Sequence, residues 1–341
     1  MKNNIKRLLL MMIGVFMLNS LALSQDYSNL LLIIGTKIHD NYELVEDYQG
    51  VIIIDNKSNV IESVSYGEAS VSKYNVEKGA YYLKANKNRF QLDIDSVITS
   101  HEIDTHDIYD RPLARKEKVL VNSEEKVEYL KNNHYISITK PENYYLVTFS
   151  PLMYGFGGIG SSNSISINCL GNTILNALTT GNNITLSFET IDNNLIYKVE
   201  ILNKNKDVKF VLWVDSEKDY RIIREEQGTY IENDHGSLFI IDKEIINDIE
   251  FDKEQEAWLP NKATIKEYYY PQLPIIRQKP EDFISGKQVV SKLLKKEANL
   301  SFQKIVINRG IDETEFSSIE NEYKKGDILD NKITNEKRIV E

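Results

Sequence analysis

Apolar and polar residues alternate along most of this chain, and the alternation predicts strands. Phe90, Leu92 and Ile94 fall on one face of Arg89-Phe90-Gln91-Leu92-Asp93-Ile94-Asp95, and His134 to Thr139 repeats the pattern. A period of two means one buried and one wet face, which is the signature of an antiparallel sheet. Tyr48 to Asp55 reads as an opening strand, with Asp55 to Asn59 as its turn. Val60 to Tyr66, Ala69 to Tyr74 and Tyr144 to Phe149 read as further strands. So do Ile184 to Thr190, Leu195 to Leu202, Val208 to Asp215, Tyr220 to Gln227, Ser237 to Ile249, Trp258 to Tyr270 and Leu300 to Asn308. Strands that recur every 8–12 residues or so mark a meander, sandwich or barrel.

Two stretches depart from this period. From Tyr27 to Tyr48, Leu30, Leu31, Ile33, Ile34, Ile38, Tyr42 and Val45 take helical spacing. From Cys169 to Leu178, Leu170, Ile174, Leu175 and Leu178 share a face, and Gly181 is a helix breaker. Residues 151–166 are rich in Gly, Ser and Asn and read as a flexible loop. Beyond Tyr323 the chain is charged and lacks a core pattern, which predicts a flexible tail over 323–341. The predicted class is α+β, mainly β. A curved antiparallel sheet, an unclosed barrel, carries an N-terminal helix and a second short helix on its concave side.

The N-terminus changes where this fold is expected to work. Lys2, Lys6 and Arg7 precede an eleven-residue apolar run from Leu8 to Leu18, and Ala22-Leu23-Ser24 supplies small residues for cleavage. That run is shorter than the roughly 20 residues a membrane span needs, so residues 1–24 read as a secretory signal peptide. The domain then covers 25–322, and the expected location is periplasmic or outer-membrane associated. The formal charge of −10 becomes −13 once those three basic residues are removed. An acidic balance argues against nucleic acid as a partner. Cys169 is the only cysteine, so no internal disulfide forms, and its apolar setting reads as core.

Candidate chemistry is sparse. Gly155-Phe156-Gly157-Gly158-Ile159-Gly160 fits the spacing of a dinucleotide-binding loop. That loop works only between a strand and an immediately following helix. Here Ser161 to Ser166 intervenes, and no acid sits about twenty residues on to hold a ribose. His101-Glu102-Ile103-Asp104-Thr105-His106-Asp107 is dense in metal-ligand residue types. Its two histidines are five apart, whereas a helical zinc site needs them four apart. No catalytic set, metal ligand set or cofactor is assigned. The aromatic residues say more. Phe149, Met153, Tyr154, Phe156, Trp213 and Trp258 either pack the core or line an apolar cavity under the sheet.

Several short stretches occur in an order that resembles a known family. They are Asn29 to Tyr48 running into Gln49-Gly50-Val51, Leu83 to Leu92, and Ser150-Pro151-Leu152-Met153-Tyr154-Gly155. Val211-Leu212-Trp213-Val214-Asp215, Tyr220-Arg221-Ile222, Trp258-Leu259-Pro260 and Lys325-Gly326-Asp327-Ile328-Leu329-Asp330 follow. The order resembles the bacterial outer-membrane lipoprotein-sorting (LolA-like) proteins and their larger secreted relatives, over most of residues 27–330. Asn88 departs from the proline or glycine context usual there. The resemblance implies a half-barrel whose apolar interior shields an acyl chain. The expected function is therefore non-enzymatic binding of a lipid or lipoprotein acyl chain. Two alternatives are an envelope-sensing or protein-interaction module with a filled core and an exposed contact face, and a metal-dependent hydrolase built on His101 and His106.

Overall fold

The computed structural model describes residues 27–65, 68–86, 89–102, 112–122, 124–141, 150–160, 167–180, 183–203, 205–316 and 319–341. The signal-peptide segment 1–24, the strand expected at Tyr144 to Phe149 and the residues 103–107 lie outside them. Helix α1 spans residues 27–43 and ends short of Tyr48, where the first strand begins. That strand, β1 (Tyr48–Ser65), pairs along its length with β2 (Glu68–Ala85). The turn expected at Asp55 to Asn59 is corrected: those residues pair with β2 on one side, and Asp55 to Ser58 also pair with the strand on the other. Satisfied backbone on both flanks outweighs the turn preference of Asp and Asn.

From β2 the sheet grows outward through β3 (Phe90–Glu102), β4 (Leu113–Val121), β5 (Lys126–Leu130) and β6 (Tyr135–Thr139). The chain then crosses the sheet face. Residues 150–157 lead into a small hairpin, β7 (Gly158–Gly160) with β8 (Ile167–Cys169), and then into α2 (Leu170–Thr180). It rejoins the sheet at the far edge with β9 (Ile184–Ile191) and returns through β10 (Asn194–Leu202), β11 (Val208–Asp215) and β12 (Arg221–Asn233). Next come β13 (Gly236–Asp252), β14 (Ala257–Tyr269) and β15 (Leu293–Ile307). Strand β15 closes the route by pairing with β1, from Tyr48 opposite Ile307 to Ser58 opposite Lys296. The result is one curved, unclosed sheet of fifteen strands, mainly β with few helices.

One face of this sheet is dry. Ile52, Ile54, Tyr81, Leu83, Leu92, Ile94, Leu300 and Phe302 project from it and pack with Leu152, Met153, Tyr154 and Phe156 of the crossing segment. Helices α1 and α2 cover another part. Leu31, Ile34 and Ile38 of α1 and Leu170, Ile174 and Ala177 of α2 meet Val199, Ile201, Leu212, Val214 and Ile222. Both clusters share this face, because Leu212 lies opposite Glu225, which lies opposite Ile245 of the first cluster. Each fully buried Leu, Ile or Phe contributes about 1.5–3 kcal/mol.

The crossing segment is not the flexible loop its glycine content suggested. Leu152 to Gly158 are all buried. Gly157 has φ +79, and a Cβ there would stand 2.8 Å from Ile38 Cγ2. Its carbonyl accepts the N–H of Leu170 at 2.7 Å and so fixes the start of α2. Where α2 crosses α1, a Cβ on Gly171 would stand 2.6 Å from the carbonyl oxygen of Gly35. Glycine lets these backbones touch.

The flexible tail is also corrected. After β15 the chain returns to the other edge of the sheet, where β16 (Ile328–Asn331) pairs parallel with β6 and antiparallel with β17 (Glu336–Ile339). Asp327 is 0% exposed. It accepts the Tyr129 hydroxyl at 2.8 Å and the Lys324 N–H at 2.7 Å, and sits 2.9 Å from His134 Nδ1. Leu329 is buried with Val127, Tyr129, Ile136 and Ile319. An edge strand pairs through backbone, so its charged side chains hide it from a hydrophobicity pattern. Two further helices, α3 (Leu273–Gln278) and α4 (Pro280–Ile284), bury Ile276 and Phe283 against Ile240 and Tyr270.

Leu329→Ala is expected to lower the unfolding free energy by about 2–5 kcal/mol in urea denaturation; an unchanged midpoint would restore the flexible-tail reading. Gly157→Ala is expected to cost about 2–3 kcal/mol, against about 1 kcal/mol for Gly310→Ala. Gly310 shares the positive φ, at +80, but has open space around it, so the difference between the two variants measures the packing at Gly157.

Candidate functional site

The six aromatic and methionine positions separate into three environments. Phe149 lies outside the described residues. Met153 and Tyr154 fill the space between the crossing segment and the sheet, with the Tyr154 ring 5.1 Å from that of Phe302. Burial pushes the Tyr154 hydroxyl far above its ordinary pKa. Trp213 does not join them, because it follows inward-facing Leu212 and so points to the opposite face. There it packs with Ile196 and Val211, donates to Glu189 Oε2 at 2.8 Å, and lies beneath Arg224 and Lys198. Phe156 and Trp258 do come together, as two walls of one cavity.

That cavity holds about 430 Å³ at one end of the sheet, within the range of about 300–1,000 Å³ usual for small-molecule sites. The end of α1 contributes Asn41, and the segment after it Leu44 and Val45. The β13–β14 hairpin contributes Phe251, Gln255, Glu256, Ala257 and Trp258, and β15 ends there at Ile307, next to Asn308. Phe251 and Trp258 meet edge to face at 5.4 Å. A second cavity of about 240 Å³ shares Phe251 and is bordered by Leu259, Phe302 and Ile305.

The amide side chains around the larger cavity are already engaged. Asn41 donates to the Asp219 carbonyl at 2.5 Å. Asn308 donates to the Leu44 carbonyl and accepts the Glu46 N–H, both at 2.7 Å. Gln255 donates to the Ile305 carbonyl at 2.7 Å and accepts the Ile307 N–H at 2.8 Å. Arg221 differs. It opens β12 after a tight turn in which its N–H bonds the Lys218 carbonyl at 3.2 Å. Asp219 and Tyr220 both take positive φ in that turn, at 52° and 59°, a conformation uncommon for a bulky side chain. The guanidinium stacks 4.0 Å above Phe156, and Nε donates to the Trp258 carbonyl at 3.1 Å. Nη1 is buried with no partner among the described residues. Burial lowers the Arg221 pKa to about 10, so it stays cationic at neutral pH. Its neighbours in sequence gave no sign of this, because a charged residue beside a turn reads as solvated.

A second buried polar group was equally hidden. Arg115 donates from Nε and Nη2 to Glu117 Oε2 at 2.9 and 2.7 Å, and from Nη1 to Glu77 Oε1 at 3.3 Å. Glu77 also accepts Tyr81 at 2.6 Å and Ser96 at 2.8 Å. Glu128 lies near enough to influence Glu117 and is itself 3.4 Å from Lys126 Nζ, while Glu117 Oε1 has no hydrogen-bond partner among the described residues. Burial, then Glu128, raises the Glu117 pKa to about 7, while Arg115 opposes the rise. Glu128 is shifted the other way by Glu117 and Lys126, against its own burial. Such a pair is a candidate acid and base, but neither cavity described above includes it.

The metal reading gains no geometry. His101 lies in β3 and stacks on Tyr74 at 4.7 Å, and His106 is outside the described residues. Among the described residues no group of three or more His, Cys, Asp or Glu side chains is arranged to hold a metal ion. Cys169 is buried, and burial pushes its thiol pKa up, away from nucleophilic character.

Between pH 4.5 and 7 the folded chain keeps a proton on Glu117 that the unfolded chain has released. Glu117 therefore makes stability fall as pH rises through that window. The lowered pKa of Glu128 acts only below its unfolded value of 4.5. Glu117→Gln is expected to flatten the slope between pH 4.5 and 7 in urea denaturation; a slope equal to that of the wild type would refute the raised pKa of Glu117.

No family model matches the chain, and no curated protein matches it. Among solved structures it is similar to an uncharacterized conserved protein from Thermus thermophilus, with 9% identity and a TM-score of 0.29. The similarity covers 88% of this chain and 97% of that one. A likeness at that level says nothing about activity, and the geometry of the pocket is what bears on function.

Proposed function

We propose that this chain is an exported, non-enzymatic binding protein of the bacterial envelope that takes the apolar chain of a lipid or lipoprotein into the cavity between Phe156 and Trp258. The observation that carries the reading is the cavity itself, about 430 Å³ with Leu44, Val45, Phe156, Phe251, Ala257, Trp258 and Ile307 on its walls. Each methylene moved there from water contributes about 0.8 kcal/mol, so four or five of them contribute about 3–4 kcal/mol, the scale of millimolar binding, and tighter binding takes a longer chain or polar contacts as well. The signal-like residues 1–24 and the resemblance to lipoprotein-sorting proteins favour the same reading. No helix among the described residues is long and apolar enough to cross a membrane.

A second reading has its own support. The space between the sheet and the crossing segment is filled by Tyr154 and Phe156, both 2% exposed. A packed interior suits an envelope-sensing module that works through a protein partner.

The chain has two tryptophans, and only Trp258 borders the cavity. In a Trp213→Phe variant, 9,10-dibromostearate is expected to quench the remaining emission, because bromine quenches indole on contact. In Trp258→Phe, where Trp213 alone emits, quenching is expected to be absent or several-fold weaker. No quenching in either variant, with near-ultraviolet circular dichroism intact, would discard lipid binding and leave the interaction module.

A further inference from the structure

We infer that the cavity selects an acidic amphiphile, a single alkyl chain ending in a carboxylate or phosphate, and that Arg221 is the group that recognises the acid. The inference rests on the binding reading above and adds the chemistry of the ligand's head.

Arg221 is 5% exposed and lines the cavity. A guanidinium carries five N–H donors and suits planar anions. Here one donor reaches the Trp258 carbonyl, and Nη1 reaches nothing among the described residues. Asp219 attracts it, with no ion pair to Arg221 among the described residues. A buried cation left in this state is costly unless something supplies the missing charge. The cavity is lined by Arg221 together with apolar side chains that include Val45, Phe156 and Trp258. Asn41, Gln255 and Asn308 are committed to backbone partners, so they do not compete for the ligand. Asp219 and Glu256, also on the wall, oppose an anion, so the contact with Arg221 has to outweigh them. The turn before Arg221 holds Asp219 and Tyr220 at positive φ; strain of this kind persists where the surrounding structure fixes a side chain for use.

The bland explanation is that Arg221 serves only to stack on Phe156. Calorimetry on the full chain at pH 7.5, with decanoate, decyl phosphate and decan-1-ol as probes, separates the two. The wild type is expected to bind at least one of the acids about tenfold or more tightly than decan-1-ol, as a charge-assisted contact gives. Arg221→Met is expected to bring both acids down to the affinity of the alcohol, with binding of the alcohol little changed. Arg221→Lys is expected to keep part of the preference. The stronger of decanoate and decyl phosphate identifies the head group. Equal wild-type affinity for acids and alcohol would overturn the inference while leaving the binding reading standing. Binding of no probe at all would overturn both. If Arg221→Met does not fold, the wild-type comparison and Arg221→Lys still decide.

Discussion

An unclosed sheet of fifteen strands has one face to keep from water, and the rest of the molecule is arranged by how that face is covered. A sheet closed into a barrel would bury its own interior. This one borrows cover from the chain that crosses it. Helices α1 and α2 lie over β10 to β12, and residues 152–156 lie over β1 to β4 and β13 to β15. The two covers meet at Gly157, which touches Ile38 of α1 and Ile222 of β12. The cavity lies where that cover runs out, beyond the end of α1 and against the β13–β14 hairpin.

Charge is buried in two different ways on this sheet. Around Glu117, at 2% exposure, Arg115 lies between Glu77 and Glu117 and supplies the opposite charge within the chain. Arg221 has no such answer, only an aromatic ring beneath it and one carbonyl. A buried charge held by an opposite charge within the chain is structural, whereas one without an ion pair beside a cavity is a place for something else to bind.

Much of the fold was legible because a half-buried strand announces itself by alternation. Phe90, Leu92 and Ile94 proved to be inward-facing, as their spacing required. Strand extent was less legible, since Asp55 to Asn59 read as a turn until β2 was known on one side and β15, opposite Asp55 to Ser58, on the other. The run Val211-Leu212-Trp213-Val214-Asp215 is apolar throughout most of its length, so alternation could not assign Trp213 to a face. Phe156 and Trp258 were found as aromatics but not as neighbours, because the contact joins residues about a hundred positions apart. Arg221, Glu117 and Asp327 were missed for one reason: a charged residue is expected in water until its neighbours are known.

The pairing of β1 with β15 has a consequence for how this molecule comes into being. Tyr48 meets Ile307, so the central seam joins segments more than two hundred residues apart. Contacts of that range make folding slow. Until β15 arrives, Val51 to Ile54 present one unpaired edge, an apolar template for pairing with another chain. The late strand thus acts as a timer. The centre of the sheet cannot be sealed before the residues up to Ile307 have been made.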